Sequence, residues 1–194
     1  PFPKQSIMDR ALGRVYVHDF WDIMKGISAN DIDKTGEIPQ SVLDDLAEIK
    51  SFALKIPEEY GGRGLSQMNY AKGAMVSGIY CGNIAALLSA HQSIGVPQPL
   101  LMYGTEEQKK KFLPRFGEGA ISAFALTEEG VGSDPSKLTT KAELTEDGEH
   151  YIINGEKLWC TNGVKANVII VMARTGAKIT AFIVEMDTPG VEVI

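Results

Sequence analysis

An α+β fold is what this sequence predicts: an all-helical N-terminal domain over residues 1–119, then an antiparallel β domain over residues 120–194. Three observations carry that prediction. Up to Gly119, apolar residues recur at helical spacing, as at Val42, Leu43, Leu46 and Ile49, with Asp44, Asp45 and Glu48 facing away. Thr105-Glu-Glu-Gln108 is a capping box, whose hydroxyl and amide satisfy free N–H groups at a helix start. After Gly119 the period falls toward two, as at Leu138, Thr140, Ala142 and Leu144.

Taken in order, residues 7–24 read as a helix with Ile7, Leu12, Val15, Val17, Phe20 and Ile23 as a loose apolar stripe, weakened by Gly13. Residues 30–38 read as a polar turn. Pro39 suits a first helical turn and opens a helix through Lys50. Residues 52–65, with Pro57 and several glycines, form an ordered connector. Ser66 caps a helix through Tyr80, and a second follows to Ser93. The small residues there, such as Gly73, Ser77 and Ala85, favour close helix packing over room for a ligand chain. The capping box starts a short helix over residues 106–113 that Pro114 ends, with Lys109, Lys110 and Lys111 as a solvated face complementing the dipole. Strands are expected at 121–127, 138–144, 168–174 and 179–186, with a turn at 146–149 and a hairpin signal at Asn154-Gly155.

Composition narrows the function classes. With 194 residues, the chain can bury a substantial core. A net charge of −6 without a long basic run argues against a nucleic-acid partner. Cys81 and Cys160 sit in apolar stretches and read as buried reduced thiols, which fits an intracellular setting. His18, His91 and His150 show no ligand spacing, so no metal site is expected. No signal peptide is visible, and residues 79–90 are too short and polar to span a bilayer.

Two segments carry the chemistry. The first, Phe124-Ala-Leu-Thr-Glu-Glu-Gly-Val-Gly-Ser-Asp134, ends an apolar run in a hydroxyl, two carboxylates and a glycine turn. Free N–H groups at such a turn form an anion-binding nest. The second, Lys157-Leu-Trp-Cys-Thr-Asn162, reads as a strand. Alternation then puts Trp159 and Thr161 on one face, suited to a flat heteroatom-rich ring, and Cys160 on the other. Gly130-Val-Gly-Ser-Asp-Pro135 has proline where a dinucleotide fingerprint needs its third glycine, and no helix follows. Neither a P-loop nor a serine-hydrolase elbow is present. Glu128 and Glu129 are adjacent, a poor acid–base pair with a solvated or turn-stabilising role.

These two segments resemble the acyl-CoA dehydrogenase family. Its pattern, an aromatic and then Thr-Glu-Pro-Gly-x-Gly-Ser-Asp, with Lys-x-Trp-x-(Thr/Ser)-Asn about two dozen residues on, is met here by Phe124, Thr127-Glu128, Gly130, Gly132-Ser133-Asp134, Lys157, Trp159 and Thr161-Asn162. The departure is Glu129, where the family usually has proline; it loosens the turn and adds a negative charge near a pyrophosphate. Ile56-Pro-Glu-Glu-Tyr-Gly-Gly62 and the capping-box helix match further landmarks, the former read as a structural elbow. Ala90-His-Gln-Ser-Ile-Gly95 resembles the long and very-long-chain branch, with His91 read as a hydrogen-bonded core or surface residue rather than a catalyst.

The resemblance implies FAD-dependent α,β-dehydrogenation of fatty acyl-CoA thioesters. A glutamate takes the α-proton while hydride passes from the β-carbon to the flavin. It assigns flavin contacts to Phe124, Leu126, Thr127, Gly132, Ser133, Trp159 and Thr161, and places Ser133 near the bound thioester as well. It also implies an electron-transfer flavoprotein or similar acceptor, a homodimer or homotetramer, and a bacterial cytoplasm or mitochondrial matrix. The family continues with the rest of the β domain and a C-terminal helical bundle holding the base, so no catalytic base is assigned here and residues 1–194 read as a fragment. Two rival readings keep the fold: an inactive scaffold or assembly factor, and an acyl-CoA oxidase.

Overall fold

The structure is a computed structural model, and it describes residues 4–194. Helix α1 (Ile7–Lys25) starts at Ser6, whose hydroxyl accepts from the Asp9 N–H. Its buried face is Gly13, Tyr16, Phe20 and Met24. Of the expected stripe Phe20 is buried and Val17 and Ile23 pack partly buried against the core, while Ile7, Leu12 and Val15 face solvent. Gly13 sets that face. A Cβ there would lie 2.1 Å from the Asn69 side chain, so the glycine is where α1 meets α4 (Gln67–Tyr80) rather than a weak point. Asp9 reinforces the contact by accepting from the Ser66 N–H at 3.0 Å and from Asn69 Nδ2 at 2.9 Å.

The segment read as a polar turn contains a helix, α2 (Ala29–Thr35), capped by Ser28 and ended by Gly36 at φ 72°. Pro39 precedes α3 (Gln40–Glu48), whose Leu43 and Leu46 are buried. The connector holds two 3-10 turns, Ser51–Ala53 and Glu58–Tyr60. Helix α5 (Gly82–Ser93) follows α4, then α6 (Pro97–Tyr103), for which no expectation had been formed. The capping box opens α7 (Glu106–Gly117), and the helix runs through Pro114 instead of ending there. Phe112, Leu113 and Phe116 are all buried on its inner face, and their burial outweighs the hydrogen bond the proline removes. The lysines therefore lie mid-helix: Lys109 pairs with Glu106 and Lys111 with Glu185.

Five strands form one sheet: β1 (Ser122–Ala125), β2 (Lys141–Leu144), β3 (Tyr151–Asn154), β4 (Val168–Thr175) and β5 (Lys178–Glu185). The α+β class stands, but the sheet is mixed rather than antiparallel. β4 is its spine. It pairs antiparallel with β5 and parallel with β1, Ser122 opposite Val168, while β2 joins it in parallel at Lys141 opposite Arg174. A parallel pair needs a long crossover, and residues 126–167, between β1 and β4, supply it. That crossover contains the second motif segment and all of the first beyond Phe124 and Ala125, which end β1.

β2 and β3 form the hairpin, and its turn is the 145–150 segment with Gly148 at φ 73°. Asn154-Gly155 is not a hairpin turn. A Cβ on Gly155 would lie 2.4 Å from Thr140 Oγ1, so the glycine permits a close backbone crossing instead.

Two buried clusters matter for the site. One fills the helices around Tyr16, Phe20, Leu46 and Phe52. The other joins Val96, Leu100, Leu113 and Phe116 to Val168 and Ile170 of β4, so helices and sheet share a core. His91 of α5 stitches them further. Its Nδ1 accepts from the Ser122 N–H at 3.0 Å, so the proton sits on Nε2, which donates to the Phe52 carbonyl at 2.6 Å. Burial pushes this imidazole down to about 4, against the pull of the Phe52 carbonyl, with Lys55 adding to the fall. His91 is thus a buried, neutral, structural residue. Among the described residues no helix is long and apolar enough to cross a membrane.

Candidate functional site

The crossover leaves β1 through Leu126 and Thr127 and closes a tight turn at residues 128–131, with the Glu128 N–H on the Val131 carbonyl at 3.1 Å and the return bond at 3.0 Å. Gly130 sits at φ 74°, the conformation that the third residue of such a turn needs. The turn forms with glutamate at position 129, which is exposed. Gly132 and Ser133 follow in the open. A Cβ on Gly132 would meet nothing within 4 Å, so this backbone stays approachable from solvent.

Glu128 is neither solvated nor a turn residue alone. It is 4% exposed. Its Oε2 accepts from the Thr139 N–H and hydroxyl, both at 2.6 Å, and its Oε1 accepts from the Thr140 N–H at 3.1 Å and Lys157 Nζ at 2.6 Å. Burial alone would raise this carboxyl, but the Lys157 ammonium and the threonine donors hold it well below the usual carboxylate range. A carboxylate so fully engaged cannot take a substrate proton near neutral pH.

The 157–162 segment is not a strand. Its backbone is a pinned loop with two left-handed residues, Trp159 at φ 51° and Asn162 at φ 71°. Local anchors win over the alternating pattern. Lys157 Nζ donates to the Leu126 carbonyl at 3.2 Å, and the Leu158 N–H donates to the Thr127 carbonyl at 2.8 Å. Cys160 Sγ reaches the Phe124 carbonyl at 3.1 Å, and burial pushes that thiol up. Asn162 Nδ2 donates to the Leu87 and Ser122 carbonyls, tying the loop to α5 and β1. The faces still divide as alternation predicts, with Cys160 turned inward and Trp159 and Thr161 outward.

Trp159 is 87% exposed. A large side chain at positive φ is an outlier, and here it also leaves an indole in water. The pins run from the loop to the carbonyls of Phe124, Leu126 and Thr127, while the Phe124 side chain packs with the cluster of Val168 and Ile170. Gly132 and Ser133 connect to this group through the 128–131 turn; among the described residues no hydrogen bond joins them directly to the Trp159 loop.

The family model for the acyl-CoA dehydrogenase N-terminal domain matches residues 15–120, and that for the middle domain matches residues 123–194. The chain belongs to the acyl-CoA dehydrogenase family. It is 44% identical over 199 residues to the probable acyl-CoA dehydrogenase FadE10 of Mycobacterium tuberculosis, covering 100% of this chain and 31% of that protein. It is 40% identical over 170 residues to the mitochondrial very long-chain specific acyl-CoA dehydrogenase of Rattus norvegicus, covering 82% of this chain and 26% of that one. Among solved structures, an acyl-CoA dehydrogenase from Bacillus anthracis complexed with FAD superimposes with a TM-score of 0.84 at 35% identity, over 96% of this chain and 32% of that chain. The chain therefore spans about a third of these relatives' length.

For this acyl-CoA dehydrogenase chain, the donor set fits a planar, heteroatom-rich ring with an anionic tail. An exposed indole offers a stacking face, and the hydroxyls of Thr127, Ser133 and Thr161 have no hydrogen-bond partner among the described residues. What sequence reading missed is the anchoring. Lys157, Asn162 and Glu128 appear in the motif, but nothing in a linear sequence pairs a glutamate with a lysine 29 positions away. Exposed Asp147, Glu149 and His150 bring ligand atoms within 4.8 Å on the β2–β3 turn, but Asp147 already accepts from Thr145 Oγ1 and the Glu149 N–H.

Proposed function

We propose that this chain forms part of an enzyme that dehydrogenates fatty acyl-CoA thioesters between the α and β carbons with FAD as hydride acceptor. One observation carries the reading: a tryptophan held in solvent, at strained backbone, by a loop pinned on both sides. Such strain persists where the surroundings over-determine it, and it clusters at ligand sites. Leu126 and Thr127, with the backbone of Phe124, would contact the flavin edge, Trp159 would pack against the ring, and Thr161 would hydrogen-bond to it. Gly132 and Ser133 would hold the pyrophosphate, with Ser133 also near the thioester. When bound, FAD supplies the two-electron acceptor that no side chain can provide.

The chain's own residues bind and orient. A carboxylate for α-proton removal has to come from elsewhere in the protein, because Glu128 is engaged and Glu129 points into water. Electrons then leave to an electron-transfer flavoprotein or similar acceptor, from a homodimeric or homotetrameric enzyme of the bacterial cytoplasm or mitochondrial matrix.

The test is spectroscopic. The intact protein, offered FAD, acquires a flavin absorbance that bleaches when a fatty acyl-CoA is added without oxygen. A colourless protein that cannot be reconstituted sinks the flavoenzyme reading. A yellow protein that does not bleach points to the scaffold. Bleaching followed by oxygen uptake at turnover rates points to the oxidase.

A further inference from the structure

We propose that the buried Glu128–Lys157 ion pair is the positioning element of the flavin site, holding Trp159 and Thr161 in place before the ligand arrives. The inference rests on the flavin reading above. Neither group is placed to touch a ligand, since the Lys157 and Glu128 side chains are 10% and 3% exposed. They act through the loop they hold.

Three observations lead there. Lys157 ties both halves of the site upstream of Trp159, donating to Glu128 and to the Leu126 carbonyl, as Cys160 does downstream at the Phe124 carbonyl. Leu126 belongs to the segment beside the ring, and Lys157 lies two positions before Trp159, so releasing the ammonium frees both walls together. Next, the loop holds Trp159 in left-handed backbone, a strained conformation for a bulky side chain that persists only where neighbours impose it. The pins downstream of Trp159 come from Cys160 and Asn162; upstream, the ion pair and the Leu158 N–H are the pins. Finally, an ion pair is an odd choice for stability alone. Desolvating both charges offsets most of their attraction, and neutral groups of similar size often serve a fold as well. What the pair adds is direction: every Glu128 oxygen is engaged, so Lys157 has a single low-energy position.

The experiment separates position from stability. In the intact protein, with Trp21 and every tryptophan outside residues 1–194 replaced by phenylalanine so that Trp159 is the sole indole reporter, three forms are compared: unaltered pair, Lys157→Met, and Glu128→Gln with Lys157→Met. Each is read by thermal unfolding without FAD, by Trp159 fluorescence anisotropy without FAD, and by FAD titration. Lys157→Met strands a buried carboxylate and loses stability and affinity together. The double variant removes both charges, so it regains most of the thermal midpoint. Its Trp159 anisotropy still falls, and its FAD Kd still rises by roughly tenfold or more. Wild-type anisotropy and wild-type Kd in the double variant overturn the positioning role and leave the flavin reading intact. No FAD binding by the unaltered pair overturns both. Should the double variant fail to fold, Glu128→Gln alone, whose single amide oxygen keeps the Thr139 bonds while its NH2 gives up acceptance from Thr140 and Lys157, decides by the same anisotropy and titration.

Discussion

Trp159 occupies a backbone conformation that asparagine adopts far more readily than tryptophan. Trp159→Asn should therefore leave the unliganded protein as stable or up to about 1 kcal/mol more stable, because strain is relieved and no buried area is lost. FAD affinity should fall by more than about tenfold, since a stacked aromatic contact is worth about 0.5–1.5 kcal/mol beyond its buried area. Thermal unfolding with and without FAD checks both; a loss of stability without flavin would mean the indole packs on the protein itself. His91 makes a different residue-scale prediction. Its folded pKa, about 4, lies below the ordinary 6.5, so below pH 6.5 the unfolded chain takes the proton first. Stability from this group is full above 6.5 and drains as pH falls toward 4, by roughly 3 kcal/mol at about 1.36 per unit. Urea unfolding at about pH 7 and about pH 5 should show roughly 2 kcal/mol of that drop in the wild type and a much smaller one in His91→Gln. Equal drops would assign it to other groups. The Glu128 window lies lower: its stabilisation is present above the unfolded value of 4.5 and is lost as pH falls below it.

At the level of elements, the 128–131 turn invites proline at position 129. Glu129 is exposed, its N–H makes no backbone hydrogen bond among the described residues, and it is not among the residues at positive φ. Glu129→Pro should stabilise the protein by about 0.4–1 kcal/mol by restricting the unfolded chain, and should tighten FAD by removing a negative charge near the pyrophosphate. A lower melting temperature would show that the native φ there does not suit proline. Helix α7 is legible from its cap, Thr105 with Gln108, and α3 from its stripe. Helix α4 starts after Ser66 as expected, but that hydroxyl donates to Asp9 instead of capping, and the α1 stripe marks only part of the buried face. The short helices are not legible: α2 and α6 have seven residues each, too few for a periodic signal, and packing of Ile32, Pro97 and Leu100 makes them. Pro114 misled because local propensity yields where Phe116 must reach the core. The site residues were legible by kind, and Trp159 and Thr161 do face outward. The conformation that turns them outward was not, because Lys157, Cys160 and Asn162 fix it through partners far away in sequence.

Across the whole molecule, Phe116 of α7 packs in the same cluster as Val168 and Ile170 of β4. Phe116→Ala should cost about 3–5 kcal/mol and lower the unfolding of helices and sheet together, in one transition by circular dichroism. Two separate transitions would show that the halves do not share a core. Arg115 and Lys111 of α7 both pair with Glu185 on β5, but these contacts are half-exposed and add little to that coupling. The parallel pairing of β1 with β4 has its own consequence during synthesis. β1 ends at Ala125 and its partner begins at Val168; at about 5–20 residues per second, the ribosome needs roughly 2–8 s to deliver the 42 residues that separate them. Throughout that interval β1 has no neighbouring strand. What can hold it is already made: His91 on Ser122, with α5 behind it. The nascent chain therefore waits with its first strand docked on a helix and one edge bare, open to pairing with another chain until β4 arrives.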